Sequence, residues 1–535
     1  MPFRYNARLQ PLSQPRRYPP LDILRGLALS GVLLVNLLTV FRVSLFSHIT
    51  GADTPSDAWG YIVSTIVSLL LEFKAFTLFS FVFGAGVAIQ VERASGRSDV
   101  PASFLVRRFL VLLVFGLTHL LLIWNGDILT LYAVCGLLLI PLLRLPTTLI
   151  ALMGAVLIAL SYLGVIPIAF PGTQSLQTQA AEATRVYAEG SFAEIFFFRW
   201  RETNHFILPL LLLTLPRTLG VILLGVAAWR SNLLTTRRNL WVPILLVSGT
   251  IGITGTVLHI DWAAHVPLAF AYVAAVLLWL PKAPLLAAGG QMALTNYLTQ
   301  SVVFSLVFYG YGFGYFGRLG VASTAAAGLT LYVAQMLFSR WWLFHFQFGP
   351  AEWLWRSLTY GRRQPFLRGS QLTLSPAGAR VMSVFIILFM VPLIHGGIPW
   401  ILGGRGPHWG WTTAHSPGIV NYLGPLLAGG AMALLVWILA TTLSQVHLMR
   451  ERWAIGLRPA RLVQTGPYAW TRHPLYVAEL LLWLGGGCYL GSPAVMAVGI
   501  AGAVLVVTIV VPREERALES YFGDEYREYR KRVPF

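Results

Sequence analysis

In hydrocarbon a backbone has no water to pair with, so a chain that crosses a membrane must do so as complete helices of about 20 apolar residues or as closed barrels. This sequence repeats apolar runs of that length from end to end. About fourteen are legible, near 24–42, 66–91, 104–123, 127–143, 147–170, 206–229, 240–258, 264–281, 291–311, 322–344, 379–402, 418–443, 474–491 and 493–512. Composition agrees, since 56% of the 535 residues are hydrophobic and 11% are charged, far from the roughly 25% charged of soluble domains. The expected fold is an all-α polytopic membrane protein whose helices form two bundles, of about ten and about four spans.

The formal charge of +18 does not call for nucleic acid, because the basic residues are spread over alternate loops rather than one face. With the N-terminus in the cytoplasm, most Lys and Arg fall on the cytoplasmic side. They include Arg16-Arg17, Arg107-Arg108, Arg237-Arg238, Arg362-Arg363 and Arg530-Lys531-Arg532. This positive-inside pattern predicts a multi-pass protein of the cell membrane with both termini cytoplasmic, and anionic headgroups are sufficient partners for the surplus. The basic, proline-rich start precedes a span without a small-residue cleavage site and reads as a retained signal anchor. Cys135 and Cys488 fall in different spans without metal-like spacing, so neither a disulfide nor a metal is expected.

Polar residues inside apolar runs are the candidates for function. Asp22 and Arg25 lie one turn apart at the edge of the first span and can pair, as an anchor or as a substrate contact. Gly84 and Gly86 leave room for a neighbouring helix. His119 stands in the outer part of the third span, with Asn125 and Asp127 in the tight turn after it. An imidazole there can take a proton from a hydroxyl or amine while Asp127 orients it, or can simply bond across helices. Residues 171–205 form the longest outer segment and are expected to be a lid or short surface helices. Arg217, beside Pro216, sits mid-span, where an arginine costs roughly 2.5–3.5 kcal/mol on insertion scales and must face a cavity or a partner. Asn296 and Gln300 share a helix face that suits interhelical hydrogen bonds or a substrate. Glu352 and Arg356 stand at i,i+4 in a Trp-rich interfacial stretch.

The ordered motifs LDxLRGxAL, LFSxxFGxG, RRxLxLLxFGLxHxxLIWxGDILxxYA, ALTNYLxQS, FYGYGFG and FGPxEWLWRxLTYG resemble the YeiB-type bacterial membrane proteins, a domain of unknown function, over about residues 15–365. That family is remotely similar to transmembrane acyltransferases such as heparan-alpha-glucosaminide N-acetyltransferase. In those enzymes an acyl group from a cytosolic thioester reaches an acceptor on the other face, and a membrane-embedded histidine is implicated. The resemblance implies an acyl-transfer base at His119. A transporter or flippase is the rival reading of this half, although no inverted repeat is evident.

The polar, basic stretch 362–378 interrupts the apolar runs and marks a boundary, giving domains at 1–365 and 379–535 with a cytoplasmic linker at 366–378. In the second domain GPYAWTRHPLY (Gly466–Tyr476) and PREERALESYFGDEYREYRKRVPF (from Pro512) flank enough apolar sequence to cross twice, so both end on one side. Thr471 is expected to cap, and Pro474 to open, the helix after the first motif, with Arg472 and His473 adding to a positive corner that suits a carboxylate. Pro512 is expected to open a second helix with Glu514 and Glu515 in its first turn. Adjacent positions diverge by about 100°, so only one of the two acids is expected to face the corner. Leu518, Phe522, Tyr526, Tyr529 and Val533 make one apolar stripe that should dock. With Tyr468 and Tyr476 nearby, these groups suit S-adenosylmethionine, whose sulfonium an aromatic face stabilises.

TGPYAWTRHPLY followed by EExxLxxxFGxEYxxYxxxVP resembles the isoprenylcysteine carboxyl methyltransferase and phospholipid methyltransferase superfamily of integral membrane enzymes, over about 378–535. The resemblance implies S-adenosylmethionine as cofactor, in a pocket walled by Tyr468, Arg472, His473, Pro474, Tyr476, Glu514 and Glu515, and a lipidic or hydrophobic acceptor entering from the bilayer. The family often ends VPR, whereas this chain ends Val533-Pro534-Phe535. Membrane sterol reductases are similar to the same superfamily, which makes a nicotinamide cofactor the alternative.

Overall fold

The computed structural model describes residues 18–55, 57–95, 102–163, 172–236, 238–280, 282–366, 419–445 and 462–534. Arg16-Arg17, Arg237, the linker beyond residue 366 and the span expected at 379–402 lie outside them. Every regular element among the described residues is a helix. The chain divides into two compact units, one of residues 1–190 and 194–368, the other of 369–535 and 191–193.

The first unit contains α1 (Pro19–Asn36), α2 (Leu45–Ile49), α3 (Ala58–Leu70), α4 (Lys74–Ser95), α5 (Ala102–Thr118), α6 (Leu129–Leu142), α7 (Thr147–Tyr162), α8 (Thr173–Glu189), α9 (Phe192–Glu202), α10 (Leu208–Arg230), α11 (Trp241–Val257), α12 (Asp261–Trp279), α13 (Pro284–Gln291), α14 (Ala293–Phe308), α15 (Val321–His345) and α16 (Pro350–Tyr360). Short π turns extend α1 (Leu37–Phe41) and α5 (His119–Ile123) and precede α10 (Thr203–Ile207). The outer segment expected as a lid or surface helices forms α8 and α9.

Among the described residues seven helical stretches are long and apolar enough to cross a membrane, and further apolar helices run only 10–17 residues. The described residues thus bear out an all-helical fold with apolar spans, and the expected count of about fourteen is not established by them. The span expected at 66–91 is bent where α3 meets α4, at Phe73 with φ +59°.

Within this unit α1 packs on α4 and α13, α4 on α10, α10 on α7, and α5 on α6. Leu24, Val82, Ala85, Val221 and Val273 meet in one buried cluster. A Cβ on Gly84 would collide with the Ile222 carbonyl, and one on Gly225 with that of Phe81, so α4 and α10 meet backbone to backbone through reciprocal glycines. Gly86 does a different job from the one expected of it and leaves room for the Arg25 guanidinium. Asn296 Nδ2 donates to Gly289 O at 3.2 Å and Ser339 Oγ at 3.0 Å, and Gln300 Nε2 donates to Gln335 Oε1 at 2.7 Å. These two amides join α14 to α13 and α15.

The second unit contains α17 (Ile419–Gln445), a 3-10 turn at Gly466–Ala469, α18 (Pro474–Leu490), α19 (Pro493–Leu505), a π turn (Val506–Val510), α20 (Val511–Phe522) and α21 (Asp524–Arg532). α17 lies along α18, where Gly424 and Gly485 allow close approach, and α18 packs on α19. Helical geometry is unbroken from α19 through the π turn into α20, because Val510 and Val511 both keep right-handed helical angles. Pro512 is consequently in the middle of a rod rather than at the start of a helix. The rod ends at Gly523, φ +56°, and α21 turns back so that Tyr526, Tyr529 and Val533 pack with Leu462, Leu518 and Phe522. The expected stripe docks, but across two helices.

Candidate functional site

In the second unit, Gly466 at φ +63° starts the 3-10 turn that leads into Trp470 and Thr471. The Thr471 hydroxyl accepts the His473 amide at 3.2 Å, and His473 itself is the residue before the helix, so threonine shapes the loop rather than capping α18. Pro474 occupies the first turn of α18 as expected. The C-terminal helix fixes this loop from outside: the Tyr529 hydroxyl donates to Tyr468 O at 2.7 Å, and Arg472 N donates to Pro534 O at 3.3 Å.

Both acids of α20 reach the loop. Arg472 Nη1 stands 2.7 Å from Glu515 Oε1, and His473 Nε2 stands 3.3 Å from the same oxygen. His473 Nδ1 lies 3.7 Å from Glu514 Oε2, which also accepts from the Tyr476 hydroxyl at 3.1 Å. One carboxylate alone was expected here. The two succeed together because their counterparts are split, Arg472 in the loop and Tyr476 on the first turn of α18, with the His473 ring between. That ring lies 5.8 Å from Tyr476 at 20°, and Arg530 Nε approaches Glu515 Oε2 at 3.7 Å. Because Pro512 is mid-rod, the acids are held by these partners and not by a free helix N-terminus.

Burial lowers the His473 pKa, outweighing the pull of Glu515, so the ring favours its neutral form. Burial, with Glu515 adding to it, pushes the Tyr526 phenol up to about 12. The Tyr526 hydroxyl and the Arg472 guanidinium interact beside the Glu515 carboxylate. Donors next to carboxylate acceptors fit a ligand that carries a carboxylate together with amine or hydroxyl groups, as S-adenosylmethionine does.

The first unit holds a second constellation. The π turn at the end of α5 carries His119, which is 0% exposed. Its Nδ1 stands 2.8 Å from Asp127 Oδ1. Asp127 also accepts the amides of Leu129, at 3.1 Å, and Thr130, at 2.6 Å, so its carboxylate is fixed at the N-terminus of α6, where the helix dipole favours a negative charge. An acceptor-only carboxylate at Nδ1 puts the proton there and leaves Nε2 as a lone pair. Nε2 has no partner among the described residues. The rings of Tyr297, 5.0 Å away, and Trp124, 6.1 Å away, wall the imidazole.

Next to it lies a buried polar group that sequence reasoning missed. Asn125 donates to Glu202, which also accepts from the Tyr187 hydroxyl at 2.6 Å. Arg199, 1% exposed, donates to Leu121 O at 3.3 Å and lies 5.6 Å from the Tyr309 ring. A signal was available, since Ile195, Phe198, Arg199 and Glu202 recur at i, i+3, i+4 and i+7 and form the buried face of α9. The FYGYGFG run also has its reason here. Tyr309 stacks on Tyr187 at 4.9 Å, and Gly310 passes so close to α8 that its amide donates to Tyr187 O at 2.8 Å.

The remaining candidates are placed elsewhere. Asp22 and Arg25 pair at 2.9 Å as expected. Arg217 finds aromatic partners, with Phe73 at 5.2 Å and Tyr162 at 5.9 Å. Asn296 and Gln300 are engaged between helices.

A family model described as a protein of unknown function (DUF418) matches residues 215–362, and the phospholipid methyltransferase model matches 420–525. The uncharacterized protein YxaH of Bacillus subtilis (strain 168) is 31% identical over 406 residues, covering 68% of this chain and 100% of that protein. The uncharacterized protein YeiB of Escherichia coli (strain K12) is 29% identical, covering 63% of this chain and 95% of its own. Protein-S-isoprenylcysteine O-methyltransferase of Mus musculus is 38% identical over 79 residues, which cover 14% of this chain and 26% of that enzyme. No solved structure matches the chain.

Proposed function

Because the chain belongs to the DUF418 family of membrane proteins and continues into a domain of the phospholipid methyltransferase family, we propose that it is a fused membrane enzyme. Its C-terminal domain, 379–535, transfers a methyl group to a lipidic or hydrophobic acceptor, and its N-terminal domain, 1–365, is acyltransferase-like. The observation that carries the first half is the junction of Arg472, His473 and Tyr476 with Glu514 and Glu515.

S-adenosylmethionine, when bound, supplies an electrophilic methyl group activated for in-line displacement. Arg472 would bind its carboxylate, and Glu514 and Glu515 would accept from its amine and hydroxyl groups. Tyr476 and Tyr468 would offer aromatic faces to the sulfonium. Neutral His473 keeps the two acids apart and in register without adding a charge. The rest of the task is positioning and water exclusion, which apolar helices provide. Positive-inside counting supports a cytosolic face of the cell membrane for this corner and for both termini.

In the N-terminal domain His119 Nε2 takes the proton of an acceptor hydroxyl or amine as the acceptor oxygen or nitrogen bonds to the carbonyl carbon of an acyl thioester. The carbon–sulfur bond breaks, and the proton passes to the departing thiolate. Asp127 holds the tautomer and stabilises the imidazolium.

The test is calorimetric titration of the full chain in nanodiscs with S-adenosylmethionine and, separately, NADPH. Micromolar binding of the first and none of the second is expected. Preference for NADPH, or binding of S-adenosylmethionine indifferent to both Arg472→Ala and Glu515→Ala, defeats the assignment.

A further inference from the structure

His119 and Asp127 belong to the chain on either side of a sharp turn, so their 2.8 Å contact is only as fixed as the turn that joins them. α5 ends in a π turn, in which the Trp124 amide reaches back to His119 O at 2.8 Å, and Trp124 itself is extended. The carbonyls of that last turn therefore lack donors within their own helix. Two of them are met from elsewhere: Arg199 Nη1 on α9 donates to Leu121 O at 3.3 Å, and the Ser305 hydroxyl on α14 donates to Ile123 O at 3.1 Å. Arg199, buried, thus brings a cation to the C-terminal end of α5, where the helix dipole favours one, as Asp127 brings an anion to the start of α6.

One turn further along α9, Glu202 takes the other side of the same turn. It accepts from Asn125 and from the Tyr187 hydroxyl at 2.6 Å, and Asn125 also donates to that hydroxyl at 3.3 Å. Positions three apart share a helix face, so a single face of α9 holds the turn at two places, Leu121 just after His119 and Asn125 just before Asp127. α8 backs this grip, because Tyr187 stacks on Tyr309 at 4.9 Å and its carbonyl accepts the Gly310 amide at 2.8 Å.

Apolar side chains could brace α9 against α5 with less desolvation, but without direction; hydrogen bonds to a carbonyl and to an amide fix how the turn is rotated. We propose that Arg199 and Glu202 are positioning residues for His119. By holding Leu121 and Asn125 they keep the imidazole Nδ1 on Asp127 and leave Nε2 as the lone pair, which makes α9 part of the site rather than a cover over it. Without them the turn relaxes, the bond to Asp127 opens part of the time, and the proton is shared between both ring nitrogens. The inference rests on the reading of His119 as the group that takes the proton.

The test reads the tautomer directly and needs no acyl donor. The full chain, carrying nitrogen-15 histidine and reconstituted in phosphatidylcholine bilayers, is studied by magic-angle-spinning NMR near neutral pH, with the His119 signals identified by their loss in His119→Gln. One form is expected in the wild type, protonated on Nδ1 and bare on Nε2. Arg199→Met and Glu202→Leu should each replace it with a mixture of both tautomers, and Arg199→Lys, which keeps a donor and a cation at the end of α5, should restore the single form. A merely structural role would lower the melting temperature of the first two variants while their folded protein kept the wild-type tautomer, and that result overturns the inference. So does a mixture, or a doubly protonated ring, in the wild type. If neither variant folds, Tyr187→Phe decides: loss of the hydroxyl shared by Glu202 and Asn125 should broaden the Nδ1 signal, and an unaltered signal counts against the proposal. A wild type with the single tautomer that transfers no acyl group defeats the acyltransferase reading and leaves the positioning intact.

Discussion

Each unit of the molecule sets a histidine against carboxylates, and the two arrangements suit opposite tasks. His119 has one nitrogen on Asp127 and the other without a partner among the described residues, in a site walled by aromatic rings. His473 has carboxylate oxygens at 3.3 and 3.7 Å from its two nitrogens and an arginine beside it. A ring with a free lone pair can move a proton, whereas a ring with both nitrogens faced by acids can only hold neighbours in place. On the proposed reading the same residue type is a base in one unit and a spacer in the other, and its partners decide which.

The sharpest way to break that contrast is to remove each base in turn. His119→Gln should cut labelled acyl transfer on the order of 10³-fold, within the range for loss of a general base, while His473→Gln leaves it unaltered. Asp127→Asn should lose on the order of 10²-fold, because the amide no longer fixes the Nδ1 proton, while its oxygen can still cap α6 and leaves stability nearly unchanged. Acyl transfer preserved in His119→Gln removes that residue from the mechanism. In the second unit, Glu515→Ala should weaken S-adenosylmethionine binding at least tenfold, measured by calorimetry, because it strips Arg472 and His473 of their shared oxygen. Equal affinity in the variant would make the cluster structural only.

A milder change sharpens how the second site is held. Tyr529→Phe deletes the hydroxyl that donates to Tyr468 O at 2.7 Å. One such bond is worth about 1 kcal/mol, so cofactor affinity should drop roughly fivefold as the Gly466–Trp470 turn loosens, with acyl transfer unaffected. No change in affinity would mean that the apolar contacts of α21 suffice to place the loop.

Much of this was legible from spacing. The stripe Leu518, Phe522, Tyr526, Tyr529 and Val533 predicts a docked face, and the same residues, Leu462 added, pack together. Asp22 with Arg25, and His119 with Asp127, are close in sequence and meet in space. What failed had tertiary causes. Pro512 reads as a helix start, yet a π turn carries α19 straight through it, because the rod before it supplies the geometry that a cap would otherwise have to provide. The single-carboxylate expectation treated the corner as one point, while the loop wraps from Arg472 to Tyr476 and meets two faces of α20. Arg199 and Glu202 were not singled out, because an outer segment read as a lid or short surface helices gives no sign that it folds back over buried polar groups.

The smallest expected effect bears most directly on the spacer role of His473. Its pKa is lowered by burial, with Glu515 pulling the other way and Arg472 adding to the depression, while Glu514 and Tyr476 complete the groups that face it. A base with a depressed folded pKa binds protons more readily when unfolded. Its contribution to stability is therefore complete above the ordinary histidine value of about 6.5 and is lost as pH falls from there through the folded value. Burial pushes the neighbouring Glu514 carboxyl up to about 7, so its contribution rises as pH falls through the same range, and the His473 term is read as a difference. Melting of the second unit, followed in nanodiscs from pH 8 to pH 5, should fall more steeply with falling pH in the wild type than in His473→Gln, whose amide fills the same place without titrating. If the ring instead served as a cation between two acids, the folded pKa would be raised and the wild type would gain stability over the variant as pH fell, so the sign of that difference separates a neutral spacer from an ion pair.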